Sequence, residues 1–91
     1  MIPPYRSHED KMLVVLSTIC DKSQWWTRLK IARNIGYRAS RTIAPALEDL
    51  LQRGLIEQRE TPRPNGQVRF EYRGTIAGCD KLEQLRLEGF L

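Results

Sequence analysis

The chain has 91 residues, 41% of them hydrophobic and 29% charged, with 15 Lys or Arg against 11 Asp or Glu and a formal net charge of +4. That length supports one small core, and the composition excludes a disordered chain. One histidine and two separated cysteines exclude a zinc cluster and leave almost nothing from which to assemble a catalytic site.

Residues 1–6 contain Pro3 and Pro4 and read as an extended arm. Met1-Ile2-Pro3-Pro4-Tyr5 is not a signal peptide, and no apolar run reaches the ~18 residues of a membrane span. A cytoplasmic protein that needs no cofactor or metal and touches no membrane is expected. Ser7 offers an N-cap, with Glu9 and Asp10 placed to favour the positive helix end. Met12, Leu13, Val15, Leu16, Ile19 and Cys20 recur at helical spacing and predict a first helix over 8–20. After a polar turn, Trp25-Trp26 is too short for more than a stub of strand, and at least one indole belongs in the core.

Thr27 is the expected N-cap of a second helix that turns Leu29, Ile31, Ala32 and Ile35 inward, and Gly36 suits the left-handed position beyond its end. A third helix must start between Ala39 and Thr42, capped by Ser40 or Thr42, because Pro45 is tolerated only within a first turn. A regular helix from near Arg41 to about Arg53 is predicted, with Ile43, Ala46, Leu47, Leu50 and Leu51 inward and Gly54 as its stop.

From Leu55 the pattern alternates. Residues 55–61 and 67–73 read as strands, with Val68, Phe70 and Tyr72 on one face and Arg69, Glu71 and Arg73 on the other. Pro62-Arg63-Pro64-Asn65-Gly66 is turn chemistry, so the pair is a β-hairpin with a basic tip. Thr75 then caps a fourth helix carrying Ile76, Cys79, Leu82 and Leu85, which Gly89 ends; Gly78 weakens it by ~1 kcal/mol relative to Ala. Cys20 and Cys79 fit as small buried apolar groups, and nothing in the sequence indicates a disulfide between them.

The distribution of charge says more than its sum. From Lys22 to Leu47 the chain carries Lys22, Arg28, Lys30, Arg33, Arg38 and Arg41 and no carboxylate. A helix pair that is apolar inside and purely cationic outside points to nucleic acid.

These residues also carry a resemblance. Thr27-Arg28-Leu29-Lys30-Ile31-Ala32 followed by Ile35-Gly36, Thr42-Ile43 with Leu47 and Leu50, Arg53-Gly54-Leu55-Ile56, and Tyr72-Arg73-Gly74-Thr75-Ile76-Ala77-Gly78 resemble, in order, the winged helix-turn-helix transcriptional regulators of the MarR and PadR types. The resemblance spans most of residues 7–88. It implies a mostly helical α+β fold, a three-helix bundle plus β-hairpin wing with an extra C-terminal helix. The divisions would be 1–6 (arm), 7–74 (winged-helix domain) and 75–91 (last helix).

By the same resemblance the chain would bind double-stranded DNA with sequence preference, as a small transcriptional regulator. Residues 41–53 would lie in the major groove and the wing, 61–68, on flanking DNA. Arg41 and Thr42 are then the candidate base readers, with Arg38 and Ser40 beside them. Thr27, Arg28 and Lys30 would hold phosphate, Tyr37 would be exposed and bond another, and Arg63, Asn65, Gln67 and Arg69 would serve the wing. Glu48 and Asp49 would face away from the DNA. Two departures stand out: the spacing from Gly36 to Ile43 is one residue longer than usual, and Ala44 and Pro45 occupy slots that commonly hold polar readers. The alternatives are a winged-helix interaction or assembly module, or an architectural replication or recombination factor. Leu82, Leu85 and Phe90 on the last helix suggest a homodimer formed through helices one and four.

Overall fold

The computed structural model describes residues 8–89, so the expected arm, the Ser7 cap and Phe90 lie outside the described residues. Helix α1 (His8–Asp21) buries Met12, Val15, Leu16 and Ile19, one residue from each successive turn with one doubled. It is followed by the two-residue strand β1 (Trp26–Thr27), helix α2 (Arg28–Ile35), a 3-10 turn over Ser40–Ile43, helix α3 (Ala44–Gln52), strands β2 (Ile56–Pro62) and β3 (Val68–Gly74), and helix α4 (Ile76–Leu87). This is the α+β layout expected, four helices with a small sheet.

The core joins the α1 stripe to Trp26, Ile31, Ala32, Ile43, Ala46, Leu47, Leu50, Ile56, Tyr72 and Leu82. Each fully buried aliphatic side chain contributes about 1.5–3 kcal/mol of transfer free energy. Thr27 caps α2 as predicted: its Oγ1 accepts from the Lys30 amide at 3.3 Å. Gly36, at φ 109°, closes the helix by returning its N–H to the Ala32 and Arg33 carbonyls. Leu29, expected inward, is instead exposed in the first turn of α2, in a hollow it shares with the wing.

The third helix differs from its prediction. Neither Ser40 nor Thr42 caps it; Ala39 precedes a 3-10 turn without any side-chain cap, and the regular helix starts at Ala44 with Pro45 in its first turn. Pro45 has no N–H and needs that position, so the residues ahead of it wind more tightly instead. The expected helix over 41–53 is therefore a 3-10 turn followed by a nine-residue α-helix.

The sheet is antiparallel in the order β1-β3-β2, with Trp26 opposite Tyr72 and Gln58 opposite Tyr72 on the other side. Each hairpin strand sits one residue later than predicted. The expected apolar face of β3 holds only at Tyr72, over the core; Val68 and Phe70 are exposed because the hairpin runs past the helices there. On the other face Glu71 is 8% exposed, within a polar ladder.

Helix α4 folds back on α1. Thr75 Oγ1 accepts from the Gly78 amide at 3.0 Å and donates to the Gly54 carbonyl at 2.8 Å, tying the helix start to the lead-in of β2. Gly78 is an element of this packing and not a mere weakness, since a Cβ there would lie 1.8 Å from the Leu55 carbonyl oxygen. Ile76 points to solvent at 84% exposure, so it leaves the apolar stripe predicted for it. Leu82, assigned to a two-fold interface by the sequence, is 3% exposed inside this chain's own core. Leu85 is half-buried. No described helix is long and apolar enough to cross a membrane.

Candidate nucleic-acid interface

Three elements converge on one face. The N-terminal turn of α2 presents Thr27 and Arg28, the 3-10 turn presents Ser40, and the wing presents Arg63 and Arg69. These five side chains line a single hollow of about 400 Å³, together with Leu29, Val68, Phe70 and Tyr72. The sequence named the five polar residues as site candidates, and the fold brings them together across more than forty positions. A capped helix start directs free N–H groups outward, and such an end attracts phosphate. Arg28 stands there.

The remaining candidates divide. Lys30, Arg38 and Arg41 are exposed, and like Arg28 and Arg63 they form no ion pair among the described residues. Thr42 is half-buried, and its amide is bound to the Ala39 carbonyl at 3.3 Å. In the wing tip the Asn65 side chain is spent locally: its Oδ1 accepts from the Gln67 amide at 3.0 Å, and its Nδ2 donates to Gln67 Oε1 at 3.3 Å. Those two residues shape the turn, with the Arg63 amide donating to the Gln67 carbonyl at 2.9 Å.

Tyr37 departs from its expected role. Its expected exposure does not hold: the hydroxyl is buried and the ring packs against the core beneath the Lys11 ammonium, 6.0 Å from the ring centroid. A tyrosine that follows a helix-closing glycine is turned inward by the reversal of the chain, which composition alone does not reveal. Glu48 also differs: it borders a second hollow with Arg28, Ala44 and Leu47, so a carboxylate stands at the edge of the cationic face. Asp49 accepts from Arg53 Nε at 3.2 Å and lies 2.9 Å from His8 Nε2. The His8 contact first, and Arg53 second, hold its carboxyl below the usual carboxylate range.

Sequence reading missed the support of the wing. Glu71 accepts from Thr61 Oγ1 at 2.7 Å and from Arg59 Nε at 3.0 Å, and Arg69 lies 3.8 Å away. The Thr61 hydroxyl, followed by Arg59, holds the Glu71 carboxyl below its ordinary range despite its burial. Glu57 accepts from Arg73 Nε at 2.8 Å, two residues along the ladder. The guanidinium groups of Arg59 and Arg73 stand 4.3 and 4.5 Å from the Trp25 ring centroid. Trp25 thus braces the wing from the outside while Trp26 is the core indole. The alternation of Glu and Arg in 57–61 and 69–73 was the available signal, because opposed residues on one face of a hairpin pair by charge. The exposed Leu29, Val68 and Phe70 were also missed, since period-two alternation cannot tell a strand over a core from one projecting beyond it.

Comparison with solved structures places this architecture. A PadR family transcription regulator from Clostridium difficile matches at TM-score 0.71 and 20% identity over 86% of this chain and 84% of its own. A PadR family regulator from Eggerthella lenta matches at 0.72 and 17%, over 85% and 69%. Bacillus subtilis PadR, solved in complex with operator DNA, matches at 0.69 and 17% over 82% of this chain and 45% of its own length. No family model matches the sequence, and no curated protein does. At these identities the likeness establishes the fold, which is that of a winged helix-turn-helix.

Proposed function

We propose that this chain binds double-stranded DNA with sequence preference and acts in the cytoplasm as a small transcriptional regulator. The observation that carries the reading is the hollow in which the α2 N-terminus presents Arg28, the 3-10 turn Ser40 and the wing Arg63 and Arg69. The same fold bound to operator DNA in the Bacillus subtilis protein supports it. In this reading the 3-10 turn carries Arg41 and Thr42 into the major groove ahead of α3, Arg38 stands beside them, and the wing lies on flanking backbone. Ala44 and Pro45 offer apolar contact to a thymine methyl and no hydrogen bond. Arg41 is then the chief direct reader, since a bidentate arginine–guanine pair contributes ~1–3 kcal/mol of discrimination.

The protein acts as a homodimer through α1 and α4 in this proposal. Support comes from an apolar depression of about 420 Å³ that includes Leu13, Leu16, Leu50 and Leu85, and from the exposed Leu87. Leu82, being interior, takes no part. The exposed Leu29, Val68 and Phe70 favour a second reading, in which the same face docks on a protein partner.

Selection of bound duplexes from a random pool separates the two. A recovered motif with two-fold symmetry is expected from a dimeric DNA reader. Failure to enrich any duplex at low salt would remove the DNA reading.

A further inference from the structure

Away from the cationic face, an open cavity of about 580 Å³ has Cys20, at the end of α1, and Cys79, in the first turns of α4, in its wall. Both cysteines are free and half-buried, which departs from the full burial their sequence setting suggests. Between them lies Gly74, the last residue of β3. A Cβ at position 74 would stand 2.8 Å from Cys20 Sγ and 2.9 Å from Cys79 Sγ, so both sulfurs abut one point in space that only glycine leaves vacant.

We propose that Cys20 and Cys79 form an oxidation site, in which hydrogen peroxide converts the two thiols into an intrachain disulfide joining α1 to α4. The cavity gives a small oxidant access to both sulfurs. Burial first, and then the neighbouring Cys79, push the Cys20 thiol up to about 12, so Cys20 keeps its proton. Cys79 is therefore the attacking sulfur and Cys20 the resolving one. The Cys79 thiolate attacks one peroxide oxygen; an S–O bond forms, the O–O bond breaks, and the departing hydroxide takes up a proton as water. Cys20 Sγ then attacks the sulfenic sulfur. The S–S bond forms, the S–O bond breaks, and the second hydroxide leaves as water with the proton of Cys20. Two thiols and one peroxide become one disulfide and two waters.

The loop so closed contains β1, α2, α3 and the wing, all of the elements that build the cationic face. Cross-linking a loop of that length constrains the unfolded chain strongly and stabilises the native one. The full-length protein, freed of reductant and treated with hydrogen peroxide, should lose two hydrogens in intact mass and both thiols to a thiol reagent. Its unfolding midpoint should rise by about 10 °C or more, and dithiothreitol should reverse all three changes. Cys20→Ser should stop at a sulfenic acid on Cys79 that dimedone traps, with no rise in midpoint. Retention of both thiols in the wild type, sulfinic acids, or disulfides between chains in place of an internal one would overturn the assignment. These readouts involve no DNA, so they succeed or fail independently of the function proposed above.

Discussion

If the cationic face holds duplex DNA, the salt dependence of binding can be worked from the side chains left free to meet phosphate. Arg53, Arg59, Arg69 and Arg73 already face carboxylates. Arg28, Lys30, Arg38, Arg41 and Arg63 do not, among the described residues. With Arg41 set on a base, four phosphates neutralised per chain give a slope of log K against log salt of about −3.6, at about −0.9 per contact. Affinity should then fall about 150-fold between about 50 and about 200 mM salt for one bound chain. A dimer engaging two half-sites should show a slope of roughly −7. Fluorescence anisotropy on a labelled duplex across a salt series measures this directly. Arg63→Ala should make the slope shallower by about 0.9 per chain while leaving sequence preference intact. A wild-type slope shallower than about −2, or an Arg63→Ala slope equal to that of the wild type, would refute the assignment of these groups to phosphate.

Arg41→Ala should broaden the motif recovered from a random duplex pool and cost ~1–3 kcal/mol on the preferred site, with little change on others; an unchanged motif would remove Arg41 as a reader. Gly78→Ala sets two effects against each other. Helix propensity improves by about 1 kcal/mol, while a Cβ 1.8 Å from the Leu55 carbonyl oxygen must push α4 off the strand. Overpacking of that kind costs about 1–3 kcal/mol or more, and a backbone oxygen cannot rotate aside, so the clash wins. A melting midpoint roughly 5–10 °C lower is expected by circular dichroism, and an equal or higher midpoint would contradict the packing described. Acid should loosen the wing. The Glu71 pKa is lowered in the folded state, chiefly by the Thr61 hydroxyl. Its stabilisation is thus present above the ordinary carboxylate pKa and is lost as pH falls through the folded value. Thr61→Val should weaken that pH dependence, which melts between about pH 7 and about pH 3 would register as a flatter acid limb; parallel curves would argue against the bond.

The parts of this molecule legible in its sequence are those decided by local chemistry. Thr27 and Thr75 are caps because a hydroxyl precedes an apolar period, and Gly36 ends a helix because a left-handed residue is needed there. The third helix was less legible because two local rules conflict. Ser40 and Thr42 invite a cap, whereas Pro45 sets where a regular helix can begin, and the proline's missing N–H is the stronger constraint. Tertiary position decided the rest. Val68, Phe70 and Tyr72 are indistinguishable by alternation, yet only Tyr72 lies over the helices, opposite Trp26. Gly78 reads as a weak point until the Leu55 carbonyl beside it comes into view, and the two sulfurs against Gly74 have no signal in the sequence. The same distinction applies to the site. The cations of residues 22–41 were legible as a run, but which arginines of the hairpin remain available depends on where Glu57 and Glu71 fall in space. The carboxylates that pair with Arg59 and Arg73 also hold those side chains against Trp25, at the root of the wing. In the proposed function the acidic residues of the hairpin therefore do not oppose DNA. They fix the geometry from which Arg63 projects, and loss of Glu71 should weaken binding although it removes a negative charge.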